Sequence, residues 1–214
     1  MRKLEKLPCP KILSDSCVEW TVAYVADKKN TTNKYRYRHP DIKVTLKNET
    51  GWKCVYCESK IGHNTPGDIE HKIPSSKAEQ LHFDWSNLTV ACGECNRRKN
   101  NYYEVGEEFL DPYVDDVERA IEHYGPIVGW RKGNERAEIT AKTLELDTVV
   151  RFSLISRKVE KIEELNNVVE RYVKEQNPTI RKLMKKKIER MIDSKSEYSG
   201  MLKSIIETKG LTIG

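Results

Sequence analysis

The chain has 214 residues, of which 37% are hydrophobic and 33% are charged, and its formal net charge is +5. This composition excludes an intrinsically disordered chain, and the length fits either one domain with a large appendage or two small domains. No run of about 18 apolar residues occurs, and the basic N-terminal stretch lacks the apolar core of a secretory signal. We therefore expect no membrane span and predict a cytoplasmic protein.

Residues 1–50 are predicted to form a segment of helices and loops. A helix is expected over residues 16–29, in which three valines share one face: Val18, Val22 and Val25. The polar, basic and aromatic stretch NTTNKYRYRHPD, residues 30–41, is expected to be a loop. Residues 41–50 then suit a short helix that turns Ile42 and Leu46 inward.

Six cysteines are present, and four of them form two C-x-x-C pairs. In a cytosolic chain such pairs favour a metal site over disulfides, and four thiolates match a tetrahedral structural zinc site. Disulfides or a redox C-x-x-C motif are the alternatives, which two pairs in one chain make less favourable. The predicted zinc ligands are Cys54, Cys57, Cys92 and Cys95, whereas Cys9 and Cys17 match no site and are expected to be reduced thiols.

The insert between the two pairs, residues 58–91, is longer than the roughly 15–20 residues of ordinary zinc ribbons. A closed four-cysteine site leaves no open coordination position, so its zinc would hold the ends of the insert together. The insert contains DIEHKIP, residues 68–74. On an extended strand Glu70 and His71 point to opposite sides. One strand end then carries both a base and a ligand for a hard cation such as Mg²⁺.

Residues 105–146 are predicted to be a mixed connector of helix and hairpin. Residues 112–125 suit a short helix or a helix–strand step. Residues 126–146 contain the turn residues KGN between two runs that we interpret as extended, so a hairpin is expected there.

Residues 147–214 are predicted to form a helical hairpin. Apolar residues recur at three- and four-residue steps from Phe152 onward, which is typical of an amphipathic helix. Pro178 interrupts the pattern, with Asn177 or Thr179 available to cap a second helix. An antiparallel hairpin of this kind either packs on the rest of the chain or forms a partner-binding arm, and the sequence leaves both open.

Three positions in the cysteine-bounded block resemble the signature of the HNH endonuclease family: His71, Asn87 in DWSNL, and Asn96 directly after the last cysteine. Glu70 beside the histidine and RRK after Asn96 extend the resemblance, which covers residues 52–101. The resemblance implies an α+β fold with a ββα-metal nuclease core over residues 51–104. It also implies an enzyme that hydrolyses phosphodiester bonds in nucleic acid.

The same resemblance assigns roles to individual residues. His71 is the general base, and Asn87 supports the loop and orients that histidine. Glu70 and Asn96 bind the catalytic ion, Mg²⁺ or Mn²⁺, and Asp68 on the strand face of Glu70 is a further candidate ligand. The residues expected to contact phosphate are Lys99, Arg97 and Arg98.

Strings outside this core extend the resemblance to one subgroup. Among them are KYRYRHPDI, GWKCVYCE and FLDPY. They resemble the HNH nucleases of Septu-type anti-phage defence systems, which also occur beside some retrons. The subgroup implies an ATPase partner of the ABC/SMC-like type, which senses infection while the nuclease cuts nucleic acid.

Two alternatives stay open at the level of the sequence. The chain is either a nuclease or a zinc-finger module that binds nucleic acid or a protein partner without cutting. Within the enzyme class, a stand-alone restriction or homing-type nuclease is the alternative to a defence nuclease. The sequence does not separate DNA from RNA as substrate, and it assigns no role to the remaining histidines, His39, His63, His82 and His123.

Overall fold

The computed structural model describes residues 1–62 and 65–211, so His63 lies outside the described residues. The described helices are α1 (Lys11–Ala26), α2 (Thr31–Lys34), α3 (Pro40–Glu49), α4 (Gly93–Lys99), α5 (Val117–Ala120), α6 (Glu135–Thr143), α7 (Phe152–Lys174), α8 (Pro178–Ile192) and α9 (Ser199–Thr208). The strands are β1 (Asp68–His71), β2 (Leu88–Ala91), β3 (Ile121–Tyr124) and β4 (Ile127–Trp130). The predicted α+β class is confirmed.

The first sheet pairs β1 and β2 in antiparallel register, from Asp68 opposite Ala91 to His71 opposite Leu88. All four residues of β2 are buried, which suits the β-branched and apolar sequence LTVA. The chain turns at Cys92 directly into α4, whose first turn is capped by the Cys92 sulfur accepting from the Cys95 amide. Strand, strand and helix thus follow one another as a ββα unit.

The second sheet lies in the connector, and here the predicted hairpin is wrong. β4 pairs with the preceding strand β3, and the helix–strand step expected over 112–125 is present as α5 and β3. The run after KGN is the helix α6 rather than a strand. Asn134 caps it by accepting from the Ala137 amide, and its alanines suit a buried helix face.

Helix α1 begins at Lys11, directly after Pro10, and it buries a different face from the one its valines suggest. Val18 and Val22 are 78% and 65% exposed, whereas Leu13, Trp20 and Tyr24 are buried. The aromatic rings remove more apolar surface from water than the valines would, so they decide which face turns inward. The stretch expected to be a loop contains α2 and a short 3₁₀ helix, Arg36–Arg38. The inward positions of α3 are confirmed at Ile42 and Leu46.

The described residues bury two apolar clusters, and the ββα unit contributes residues to both. The N-terminal core joins the first three helices to the strand pair through Leu13, Trp20, Tyr24, Tyr37, Ile42, Leu46, Ile61, Ile69, Phe83, Leu88 and Val90. The C-terminal core joins the four paired cysteines to the connector and to α7–α9, and it includes Leu165, Ile188, Tyr198, Met201 and Leu202. The nuclease-like segment therefore shares its packing with both ends of the chain.

The predicted helical hairpin is present as α7 and α8, which pack together across a three-residue link at 175–177. Asn177 caps α8 by accepting from the amides of Thr179 and Ile180. Not all of the predicted stripe is buried, because Phe152 is 78% exposed while Leu165 is fully buried. The middle of the second helical run is broken, and α9 returns to pack beside the cysteine pairs.

Candidate nuclease site and zinc centre

The four paired cysteines converge as predicted. Their sulfur atoms all lie within 4.8 Å of one another, and Cys57 Sγ lies 3.8 Å from Cys92 Sγ. A disulfide needs about 2.05 Å, whereas two sulfurs bound to one tetrahedral zinc at about 2.3 Å lie roughly 3.8 Å apart. Hydrogen bonds from the neighbouring thiols lower the pKa of Cys57. The cluster therefore has the donor set and spacing that a structural zinc ion requires.

Two buried cations from the C-terminal segment lie beside this cluster. Arg151 Nη1 donates to Cys95 Sγ at 3.3 Å and to the Leu144 carbonyl at 3.1 Å. Burial opposes the charge of Arg151, but Cys95 and Cys57 outweigh burial and raise its pKa. Lys158 is also buried, and burial lowers its pKa to about 8 against the opposing effect of Cys57. Four thiolates and one zinc ion carry a net charge of about −2, which two such cations balance.

His71 ends β1 with its ring held in one orientation. Its Nε2 lies 2.9 Å from the carbonyl oxygen of His82, and since a carbonyl only accepts, Nε2 carries the proton. Nδ1 is then the nitrogen with a free lone pair. Burial, followed by the neighbouring His82, lowers the pKa of His71 to about 4, so the ring is neutral at pH 7.

Glu70 points to the other side of the strand, where it is buried against α4. Lys99 Nζ lies 2.5 Å from Glu70 Oε1 and also donates to the His71 carbonyl at 2.9 Å. The Lys99 ammonium and the Glu70 carboxylate therefore form a buried ion pair. Burial raises the pKa of Glu70, and Lys99 opposes that effect. The predicted phosphate contact Lys99 thus lies inside, paired with the predicted metal ligand.

Asn96 lies one turn before Lys99 on the same face of α4. Its amide donates to Asp68 Oδ2 at 3.3 Å. The two residues line an open cleft of about 370 Å³ together with Tyr37, Arg38, Lys43 and Ile69. Among the residues that the structure describes, neither Arg38 nor Lys43 has a carboxylate partner. The cleft therefore combines oxygen donors for a metal with two cations that are available to a phosphate.

Asn87 is buried and acts on the loop that precedes it. Its side chain accepts from the Ile73 amide at 2.8 Å and donates to the carbonyls of Ile73 and Leu81 at 3.0 and 3.1 Å. All three bonds end on backbone atoms, so any influence on His71 passes through this loop. His82, whose carbonyl holds His71, directly follows Leu81.

The remaining predicted phosphate contacts lie on α4 but away from β1. Arg97 is exposed and pairs with Glu94 at 2.9 Å. Arg98 is mostly buried and pairs with Glu94 at 2.8 Å and with Glu145. Arg97 is accordingly the more accessible of the two.

Sequence reasoning missed three residues near the site, namely Arg38, Lys43 and His82. The first two lie in or next to the basic and aromatic string KYRYRHPDI, whose charge was a signal. No comparable signal in the sequence marks His82, because its contact with His71 depends on the fold of the loop.

The two unpaired cysteines lie apart from the four-sulfur cluster. Cys17 Sγ donates to the Phe83 carbonyl at 3.3 Å, and Cys9 Sγ to the Pro10 carbonyl at 3.7 Å. Burial raises the pKa of both thiols. Neither is in a disulfide.

Within the described ranges, no helix has the length and apolar character needed to cross a membrane.

Comparison with known proteins agrees with this geometry. Residues 54–102 match the model of the HNH endonuclease family. The Septu protein PtuB of Bacillus thuringiensis is 26% identical over 179 residues, which cover 78% of this chain and 68% of the relative. The Septu protein PtuB of Bacillus mycoides (strain KBAB4) is 28% identical over 141 residues, which cover 51% of this chain and 48% of the relative. The predicted resemblance is thereby confirmed, while an association with retrons stays a prediction. The chain therefore carries a segment, residues 54–102, that is similar to HNH endonuclease domains, and over most of its length it is similar to a Septu protein PtuB.

Proposed function

We propose that the chain is a metal-dependent endonuclease that hydrolyses phosphodiester bonds in DNA or RNA as the effector of an anti-phage defence system. One observation carries the proposal. The neutral ring of His71 has its Nδ1 lone pair free, and it lies at the strand end next to the buried carboxylate of Glu70. A base and an anionic ligand on opposite sides of one strand suit in-line displacement at phosphorus.

In this mechanism His71 Nδ1 accepts a proton from water. The water oxygen forms a bond to phosphorus, the bond from phosphorus to the leaving oxygen breaks, and that oxygen takes the developing charge. A low pKa keeps His71 unprotonated at neutral pH, which is the state that a base requires. Asn87 serves by fixing the loop that carries the His82 carbonyl.

The oxygen donors of β1 and α4 fit a hard divalent cation. Glu70 and Asn96 would hold Mg²⁺ or Mn²⁺, with Asp68 as a third candidate, and all three offer oxygen ligands. Glu70 Oε1 is buried in its ion pair with Lys99, so a bound ion would share the carboxylate with that lysine. Such an ion, when bound, neutralises the charge on the leaving oxygen. Lys99 supplies a cation to Glu70 from the protein itself.

The nucleic acid backbone is contacted by cations around the cleft. Arg38 and Lys43 have no carboxylate partner among the described side chains, and Arg97 is exposed at the neighbouring helix. Arg98 and Lys99 contribute less to this surface because each is mostly buried in an ion pair. Phosphate contacts of this kind position a substrate without reading its sequence.

The decisive experiment replaces His71 by alanine and measures cleavage of plasmid DNA and of tRNA in Mg²⁺, with and without the product of the neighbouring gene. We expect a loss of about 10²–10⁴ in rate, the usual contribution of a general base. Zinc content and the circular dichroism spectrum should not change. His123→Gln, which replaces a histidine outside the nuclease motif, is the control and should cut normally. If His71→Ala folds and cuts at the wild-type rate, the assignment is wrong. If wild-type protein binds nucleic acid but never cuts it, even with the product of the neighbouring gene present, the non-catalytic binding module is correct.

The activity depends on an ATPase partner of the ABC/SMC-like type. The similarity to Septu proteins supports this part of the proposal. The exposed valine face of α1 offers an apolar surface that nothing covers among the described residues. Co-expression with the product of the neighbouring gene, followed by size exclusion, tests it. If the double variant Val18→Glu with Val22→Glu abolishes co-elution, the contact lies on α1. If the isolated chain cleaves at the full rate, the activity does not depend on a partner.

A further inference from the structure

His82 contacts the proposed base in two ways at once. Its backbone carbonyl accepts the Nε2 proton of His71 at 2.9 Å, and its imidazole ring lies parallel to that of His71. The ring centroids are 4.7 Å apart and the planes differ by 8°. Together these contacts determine both the plane of the His71 ring and the nitrogen that carries its proton.

The ring of His82 is itself held from several sides. Its Nε2 donates to the Lys34 carbonyl at 2.7 Å, and its Nδ1 accepts from Ser75 Oγ at 2.5 Å. Tyr24 stacks on it at 4.0 Å. Tyr37 and Phe83 meet its edges. Because both ring nitrogens are satisfied and the residue is buried, His82 has no freedom to rotate.

We infer that His82 is a positioning residue for His71: it fixes the ring orientation and the tautomer that leave Nδ1 as the basic atom. The inference rests on the proposed function only for the statement that His71 is the base. The carbonyl of His82 can hold His71 only while the loop stays in place, and the side chain of His82 ties that loop to α1 and α2. The N-terminal segment is thereby part of the site that orients the base.

The physical effect is on the reaction rate rather than on substrate affinity. A ring free to turn, or to exchange its proton between nitrogens, presents a free lone pair to the substrate for only part of the time. Misplacing a catalytic group by about 1 Å costs up to about 100-fold in rate. We therefore expect His82 variants to lower kcat by about 10- to 100-fold while KM stays within about twofold.

Three variants separate the contacts of His82. His82→Ala removes the stacking ring and both side-chain hydrogen bonds, whereas His82→Phe keeps a ring and removes only the hydrogen bonds. His82→Gln keeps a donor long enough to reach the Lys34 carbonyl and should restore part of the lost kcat. His123→Gln applies the same substitution to a histidine outside the motif and should leave kcat unchanged.

A readout that does not need catalysis is the tautomer of His71, measured by two-bond ¹H–¹⁵N correlation spectra of ¹⁵N-histidine-labelled protein. Wild type should show the proton on Nε2 alone, and His82→Ala should show exchange between the nitrogens. A wild-type His71 with a mixed tautomer, or a folded His82→Ala with one tautomer and normal kcat, overturns the inference. If His82→Ala fails to fold, Ser75→Ala applies the same criteria after losing a single hydrogen bond. A fixed tautomer in a chain that cuts nothing, even with the product of the neighbouring gene present, would support the positioning and refute the nuclease.

Discussion

At the scale of single residues, the pairing state of each cation decides what it can do. Lys99 looks like a phosphate contact in sequence, yet it is 2% exposed and neutralises Glu70. Arg38 and Lys43 carry the same charge in the open cleft without a carboxylate partner among the described residues. A charge that is already paired gains little from a phosphate, so accessibility rather than residue type selects the binding residues.

The first prediction concerns these two cations. The double variant Arg38→Ala with Lys43→Ala should bind nucleic acid more weakly at every sequence. Each lost phosphate contact reduces the slope of log K against log salt by about 0.9 on duplex DNA. We therefore expect a slope smaller by about 1–2, measured by fluorescence anisotropy of labelled oligonucleotides across a salt series.

The matched control is Arg131→Ala with Lys132→Ala. This double variant also removes two positive charges, but from exposed neighbouring residues that lie outside the cleft. An equal loss of slope in both double variants would mean that net charge, and not the cleft, determines binding.

The second prediction concerns acid stability. Burial lowers the pKa of His123 to about 3, and among the described residues its Nδ1 has no hydrogen-bond partner. Below about pH 6.5 this histidine binds a proton in the unfolded chain but not in the native state. The free energy of unfolding therefore falls as pH falls. The contribution is up to about 1.4 kcal/mol per pH unit between about pH 6 and pH 3.

His123→Gln should make that decline shallower, which urea unfolding at several pH values measures. Any release of zinc at low pH is common to both proteins, so the comparison isolates the histidine. Identical pH slopes in wild type and variant would contradict the predicted effect.

At the scale of elements, the helices that follow the ββα unit pack into the same core as the four cysteines. Leu202 of α9 is 1% exposed within the C-terminal core that also holds the cysteines, whereas Leu183 of α8 is 57% exposed. A partner-binding arm could be deleted without harm to the rest of the fold. Helices packed in this way cannot be deleted without harm, because their removal exposes to water the apolar residues that pack around the four cysteines.

The third prediction compares these two leucines. Leu202→Ala should lower the free energy of unfolding by about 2–5 kcal/mol, the usual cost of a cavity in a packed core. Leu183→Ala, the control, should change it by less than about 0.5 kcal/mol. Chemical denaturation followed by tryptophan fluorescence measures both values. Similar values for the two variants would show that α9 is not part of the folded core.

At the scale of the whole molecule, the four cysteines connect parts of the chain that are distant in sequence. They close the insert that carries His71, and Arg151 reaches them from the segment before α7. Zinc retention should therefore depend on a residue far from every ligand in the sequence.

The fourth prediction tests that dependence. Arg151→Met keeps an unbranched side chain but removes the guanidinium from Cys95, and we expect zinc affinity to fall by about 10- to 100-fold. Arg151→Lys should recover part of it. Zinc transfer to a colorimetric chelator measures the effect. Arg157→Met, which removes an exposed arginine of α7, is the control. Equal zinc retention by Arg151→Met and wild type would mean that the contact with sulfur is incidental.

The sequence by itself determined the four-cysteine cluster, the ββα unit and the family resemblance. Ligand spacing, strand alternation and helix caps are local properties, and they can be interpreted without knowing the fold. The paired helices α7 and α8 followed from periodicity and Pro178 for the same reason. The tertiary structure decided which faces were buried, because α1 turned its aromatic rings inward and left its valines in water. It also decided that Lys99 meets Glu70 and that His82 holds His71, since such contacts depend on how distant segments pack rather than on their spacing in the chain.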